Sequence, residues 1–187
     1  MITDADVAAF EECISGGGVA VFPTDTLYGV GCRPDSEDAV ARVYALKGRA
    51  PGKPAAVMRF SLDALPETGP RTRAALEALL PGPVLVVLPG GVGVRVPDLP
   101  AMARVRVPVL QTSANLSGGP DPRRLADVPA SIRDGVDLVL DGGELPGVPS
   151  TVVDLGRYEE TGEWEVLRAG AVPVERLATE LNRDMRG

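Results

Sequence analysis

Apolar residues at the start of the chain recur at helical spacing. Val7, Phe10 and Ile14 fall on one face, and Thr3 stands where an N-cap belongs, so a helix is predicted over residues 3–14. Gly16-Gly17-Gly18 ends it. Residues 19–22 are continuously apolar and read as a strand that Pro23 stops. A polar turn, Thr24-Asp25-Thr26, comes next, then two glycines, Gly29 and Gly31. Ser36 opens an amphipathic helix with Glu37 and Asp38 in its first turn and Val40, Val43, Tyr44 and Leu46 as its apolar stripe. That helix leaves through Lys47-Gly48-Arg49, two cations either side of a flexible residue.

Beyond a Pro- and Gly-rich loop, strands are predicted at 55–60, 84–88, 92–96, 107–110, 136–140, 152–155 and 164–167. A helix over 71–80 turns Ala75, Leu76, Leu79 and Leu80 inward and is broken by Pro81-Gly82-Pro83. Another over 173–182 starts near Pro173 and buries Leu177 and Leu181. Short helical pieces are expected at 61–65 and 99–105, and a weak helix at 125–133, which Pro129 interrupts. Five apolar residues in a row at 84–88 predict a strand covered on both faces. Within 92–96, Arg95 stands between Val94 and Val96 and leaves the face opposite theirs, at a sheet edge or in a polar cleft. Short strands mixed irregularly with helices predict the α/β class. The expected architecture is a twisted, mixed, open sheet with helices on its faces, in one domain over 1–187.

Composition narrows the chemistry more than the fold. The net charge is -7, which argues against a protein that grips nucleic acid through a basic face, so direct binding of RNA or DNA is not expected. The chain has no histidine, which removes Ser-His-Asp and Cys-His machinery and His-ligated zinc. Cys13 and Cys32 are too few for a disulfide scaffold or a four-cysteine metal site. No basic region precedes an apolar run at the N-terminus, and no run approaches the ~20 residues that span a bilayer. A soluble, cytoplasmic protein with no membrane partner is expected.

The standard phosphate motifs fail. Gly48 to Gly52-Lys53 has one residue too few for a P-loop, and Pro54 stands where Ser or Thr belongs. A phosphate site would have to use Lys47, Arg49 and Arg168 as cations, with Ser113, Asn115 and loop N–H groups as further donors. The segment Gln111-Thr112-Ser113-Ala114-Asn115, small hydroxyl and amide residues after a strand, is where α/β proteins often carry a binding loop. Taken singly, a Thr-Asp-Thr turn is only a turn, and a Lys-x-Arg at a helix end is a solvated cap.

Together the pieces resemble the YrdC family, the L-threonylcarbamoyladenylate synthases of tRNA modification. The matching stretches are 22–31 (Phe-Pro-Thr-Asp-Thr-Leu-Tyr-Gly-Val-Gly), Lys47-Gly48-Arg49, Pro81-Gly82-Pro83, Val94-Arg95-Val96-Pro97, 113–118 (Ser-Ala-Asn-Leu-Ser-Gly), 147–154 and Leu167-Arg168-Ala169-Gly170. The resemblance implies that ATP, L-threonine and bicarbonate give threonylcarbamoyl-adenylate and pyrophosphate, with Mg²⁺ accompanying the nucleotide. By the same resemblance Lys47 and Arg49 are the catalytic pair. Lys47, Arg49, Ser113, Asn115 and Arg168 bind ATP, while Thr24, Arg95 and Ser150 bind threonine. No protein nucleophile is required, because such a reaction rests on positioning and electrostatics. A transient contact with the tRNA threonylcarbamoyl transferase complex is the partner the family suggests. The chain is similar to the short bacterial form, which ends soon after Arg168.

Some positions depart from the family pattern. Lys53-Pro54 replaces an Asn-Pro, Met58 stands at a histidine position, Leu85 at a threonine, Leu99 at a histidine and Pro149 at a glutamate. Asp121 replaces a serine that contacts ATP, and is expected to point away or to bind through its backbone. The alternative is a YciO-like paralogue, a nucleotide or RNA binder without synthase activity; Ser113-Ala114-Asn115 favours the enzyme. A carbamoyl-transferring module of a hydrogenase-maturation protein would sit in a much longer chain with zinc-finger segments.

Overall fold

The computed structural model describes residues 2–50 and 55–182, so the readings at Gly52, Lys53 and Pro54 lie outside the described residues. The strands are β1 (Val19–Pro23), β2 (Tyr28–Cys32), β3 (Ala56–Met58), β4 (Val84–Leu88), β5 (Val92–Arg95), β6 (Val109–Ser113), β7 (Leu138–Val139), β8 (Thr151–Asp154) and β9 (Glu165–Arg168). They form one mixed sheet in the order β7-β1-β2-β6-β3-β5-β4-β8-β9. The helices are α1 (Asp4–Ser15), α2 (Glu37–Leu46), α3 (Pro70–Leu79), α4 (Ala130–Arg133), α5 (Tyr158–Thr161) and α6 (Val174–Leu181).

The expected caps and faces form. Thr3 Oγ1 accepts from Asp6 N at 3.2 Å while Thr3 N donates to Asp6 Oδ2 at 2.8 Å, a reciprocal N-terminal box for α1. Val7, Phe10 and Ile14 are buried, and Phe10 meets the Phe22 ring edge-on at 4.9 Å. Ser36 caps α2 through Ala39 N at 3.4 Å. Alternate residues of β1 serve opposite faces. Ala20 and Phe22 pack with α1, whereas Val19 and Val21 pack with Ala39, Val43 and Ile132 of α2 and α4. The other half of the sheet packs Val84, Val86, Val94 and Val153 under α3, α5 and α6.

Three sequence expectations are corrected. Residues 28–32, where no strand is predicted from the sequence, are a fully buried central strand. A Cβ at Gly31 would lie 2.6 Å from Leu110 O, so glycine is what lets β2 approach β6. The run 84–88 is a strand, but its burial alternates, with Leu85 and Val87 only half-buried. Its second face is therefore not closed by a helix layer, and that open face is a cleft. Pro129 reduces the helix expected over 125–133 to a 3₁₀ turn plus α4, while Pro23 is the last residue of β1, where the run was expected to stop. Among the described residues no helix is long and apolar enough to cross a membrane.

Candidate active site

The cleft has an empty volume of about 710 Å³ and lies over the open sheet face between the turn after β1 and the ends of β6 and β8. Thr24, Arg95, Ser150, Arg49, Ser113 and Arg168 all line it, so six of the eight residues singled out from sequence meet in one place.

One half is built on the turn that joins β1 to β2. Thr24 Oγ1 accepts the N–H groups of Thr26 and Leu27, each at 3.2 Å, and donates to Leu27 O at 2.8 Å, so the turn is tied to itself. Arg95 rises from the last position of β5 and is 4% exposed. Its Nη2 donates to Thr26 Oγ1 at 2.7 Å and to the Asp25 carboxylate. Asp25 also accepts Asp98 N at 3.0 Å. Burial draws the guanidinium down from its ordinary range, Asp25 opposes that, and Arg168 adds to it. Arg95 Nε is buried and has no hydrogen-bond partner among the described residues. The predicted alternation holds: Val94 and Val96 face the core while Arg95 faces the cleft. Opposite, Arg168 Nη2 donates to Ser150 O at 2.8 Å. Gly170 lets this segment close on its neighbour, because a Cβ there would sit 2.3 Å from Pro149 O.

The second half is the loop after β6. Arg49 Nη1 donates to Thr112 Oγ1 at 3.1 Å, and the guanidinium lies 5.7 Å from the centre of the Tyr44 ring. Lys47 is 2% exposed, which overturns the solvated-cap reading. Its ammonium donates to Asn115 O at 2.6 Å, Asn115 Oδ1 at 2.9 Å and the Ser113 carbonyl. Ser113 Oγ donates to the same Asn115 Oδ1 at 2.8 Å, and Asn115 Nδ2 donates to Gly119 O at 2.7 Å. Lys47 and Asn115 thus hold the cleft wall from behind; neither is among its lining residues. Burial, reinforced by Arg49 and opposed by Asp121, lowers the Lys47 pKa to about 8.

Asp121 lines the cleft, so of the two expectations, pointing away or binding through its backbone, the first is not met, and Asn115 Nδ2 approaches its Oδ1 at 3.4 Å. Met58 lies instead in the core against α1, so the histidine-to-methionine departure falls outside the cleft lining. Leu85 and Pro149 line the cleft and give it apolar wall. Two residues escaped the sequence reading. Asp25 was seen only as part of a turn, and Gln111 only as the lead into a loop. The signal for Gln111 was its place two residues before Ser113, on the same strand face. Three arginines against one cleft-lining carboxylate, with Asp25 spent on Arg95, make a site for an anionic ligand with a hydroxyl-rich end.

The family model for Sua5/YciO/YrdC proteins, described as telomere recombination, matches residues 12–170. A putative threonylcarbamoyl-AMP synthase of Methanocaldococcus jannaschii is 29% identical over 181 residues, covering 88% of this chain and 86% of that protein. A threonylcarbamoyl-AMP synthase of Pyrococcus abyssi is 32% identical over 186 residues, and there the match covers 88% of this chain but 54% of the relative, about half its length. Among solved structures, P. abyssi Sua5 complexed with L-threonine superposes with a TM-score of 0.84 at 29% identity, over 96% of this chain and 58% of that one. E. coli YciO gives a TM-score of 0.77 at 26% identity, over 94% of each chain.

Proposed function

The chain belongs to the Sua5/YciO/YrdC family, and we propose that it condenses ATP, L-threonine and bicarbonate into threonylcarbamoyl-adenylate and pyrophosphate, for threonylcarbamoyl modification of tRNA adenosine. The observation that carries this reading is the buried Arg95. Its Nε has no partner among the described residues, and it stands beside the Thr24 and Thr26 hydroxyls in a cleft that also holds Arg49 and Ser113. A buried guanidinium with an unused donor favours a carboxylate, and the adjacent hydroxyls favour a small polar side chain. The Arg49–Ser113 half supplies charge and hydroxyl donors for phosphates.

In this reading the threonine carboxylate lies against Arg95 and its side chain near Thr24 and Ser150. The amine attacks the carbon of CO₂ released from bicarbonate with loss of water, and loses a proton to give a carbamate. A carbamate oxygen attacks the α-phosphorus, and the bond to the β-phosphate breaks with its electron pair leaving on pyrophosphate. The protein supplies alignment and positive charge where the leaving group develops. In this reading Mg²⁺ would accompany the nucleotide as its counter-ion. A product consumed by tRNA modification fits a cytoplasmic protein that hands it to the tRNA threonylcarbamoyl transferase complex.

The test is pyrophosphate release from Mg²⁺-ATP with and without L-threonine and bicarbonate. Release that needs both supports the synthase. ATP binding without such release would favour the paralogue reading, for which the end-to-end superposition on YciO is the supporting observation.

A further inference from the structure

Gln111 is 7% exposed as a residue and lines the cleft, and no described residue hydrogen-bonds its carboxamide. The carboxamide atoms are open to the cleft rather than sealed in the core, so a donor and an acceptor stand side by side on its floor, unspent on the protein and available to a ligand. The sheet register isolates it. Gly31 is its partner on β2 and Ala56 on β3, and Ala56 is in turn aligned with Gly93 of β5. Across four strands only Gln111 has a side chain longer than a methyl group. Its amide nitrogen lies over Gly29, where a Cβ would come within 2.9 Å. Along β6 it precedes Thr112, the acceptor of Arg49, and stands two residues before Ser113. Across β3 and β5 the same row leads to Arg95, two residues beyond Gly93. Gln111 therefore stands between the two halves of the cleft.

Resting on the synthase reading, the atoms that fall between an amino-acid carboxylate and a nucleotide α-phosphate are the amine and the carbamate formed on it. We propose that Gln111 is the residue that contacts the carbamate, donating its amide N–H to one carbamate oxygen and accepting the carbamate N–H at Oε1. A carboxamide is suited to this. A cation would neutralise the attacking oxygen in the ground state, and a carboxylate would repel it. A neutral donor–acceptor pair orients the group and leaves its nucleophilicity intact. The bond that forms is carbamate oxygen to α-phosphorus; Gln111 exchanges no proton.

The experiment compares wild type with Gln111→Ala, Gln111→Leu and Gln111→Asn. Calorimetry measures the binding of L-threonine, ATP and N-carbamoyl-L-threonine, a stable mimic of the carbamate, and pyrophosphate release gives the bicarbonate requirement. In Gln111→Ala and Gln111→Leu, affinity for the mimic falls about tenfold and the bicarbonate KM rises by a similar factor. L-threonine and ATP bind as in wild type, and Gln111→Asn recovers part of the loss. The leucine variant keeps the volume, so a fold lost only in the alanine variant does not decide the matter. An unchanged affinity for the mimic overturns the proposal, as does an equal loss for L-threonine. Wild type that binds neither amino acid overturns the synthase reading and the Gln111 assignment with it. Wild type that binds both, with indifferent variants, overturns the assignment alone.

Discussion

The Lys47 ammonium reaches Asn115 Oδ1 at 2.9 Å, and its other donors go to the carbonyls of Asn115 and Ser113. One cation from the end of α2 thus holds the loop that follows β6. Removing it takes this donor from the Asn115 and Ser113 carbonyls, while Asn115 Oδ1 keeps Ser113 Oγ; each acceptor left unpaired costs roughly 1–3 kcal/mol, less whatever water recovers. Lys47→Ala therefore lowers the melting temperature by about 5–10 °C as well as stopping turnover. Arg49 lines the cleft and is partly exposed, so Arg49→Ala stops turnover with a shift of only a few degrees. Thermal melts beside pyrophosphate assays separate the two. Equal melting losses would contradict the division between wall-holder and ligand contact.

The same ammonium predicts a pH effect. Burial brings its pKa from the ordinary 10.5 to about 8, so the charged form that ties the loop is lost as pH rises through 8. Turnover should fall across that range. Stability should not fall with it on this group's account. Between the folded value and 10.5 the unfolded chain binds more protons than the folded one, so the contribution of Lys47 to stability rises with pH there. Activity and melting temperature measured from pH 7 to 10 test this, and in Lys47→Arg the alkaline limb moves up or disappears. An unchanged limb in that variant would assign it to another group.

Arg95 and Asp25 form an ion pair with side chains only 5% and 8% exposed. Deleting one partner of such a pair strands the other and costs about 3–5 kcal/mol. Arg95→Lys keeps the charge and loses the planar fork. It should raise the threonine KM at least tenfold and move the ATP KM less than threefold, by the strength of a charge-assisted hydrogen bond. Steady-state kinetics with each substrate varied in turn is the check. A larger change for ATP would reverse the assignment of the two cleft halves.

Most helices and most strands were legible in the sequence because their signals are local. Thr3 and Ser36 cap where caps are read, and Val94 and Val96 take the face opposite Arg95. β2 was not legible, since Gly29 and Gly31 carry turn chemistry and their strand role depends on β6 lying against them. The site residues were legible through motifs, but not their division into lining and support, because burial of Lys47 depends on Asn115, distant in sequence. Asp25 and Gln111 were missed for the same reason: their roles are set by partners or cleft space contributed by other strands. Gly31→Ala tests this. With a Cβ 2.6 Å from Leu110 O, β2 must part from β6, and circular dichroism melts should show a loss of at least about 2 kcal/mol. A neutral result would mean the sheet yields at no cost and that glycine here is incidental.

Asp121 raises the question of why a carboxylate is tolerated in a site for phosphates. It lines the cleft but is exposed, and its nearest polar contact is Asn115 Nδ2 at 3.4 Å. A charge facing water at about 4 Å from another interacts by roughly 1 kcal/mol, and salt screens it further. Lys47 and Arg49 stand close by, and Asp121 holds the Lys47 pKa up against the two effects that lower it. Asp121→Asn should therefore have opposed effects. It removes weak repulsion, improving the ATP KM by no more than about fivefold at low salt and less at high salt. It also drops the Lys47 pKa further, moving the alkaline limb of the activity profile to lower pH. A loss of turnover greater than tenfold, independent of pH and salt, would show instead that Asp121 contacts the substrate or its metal directly.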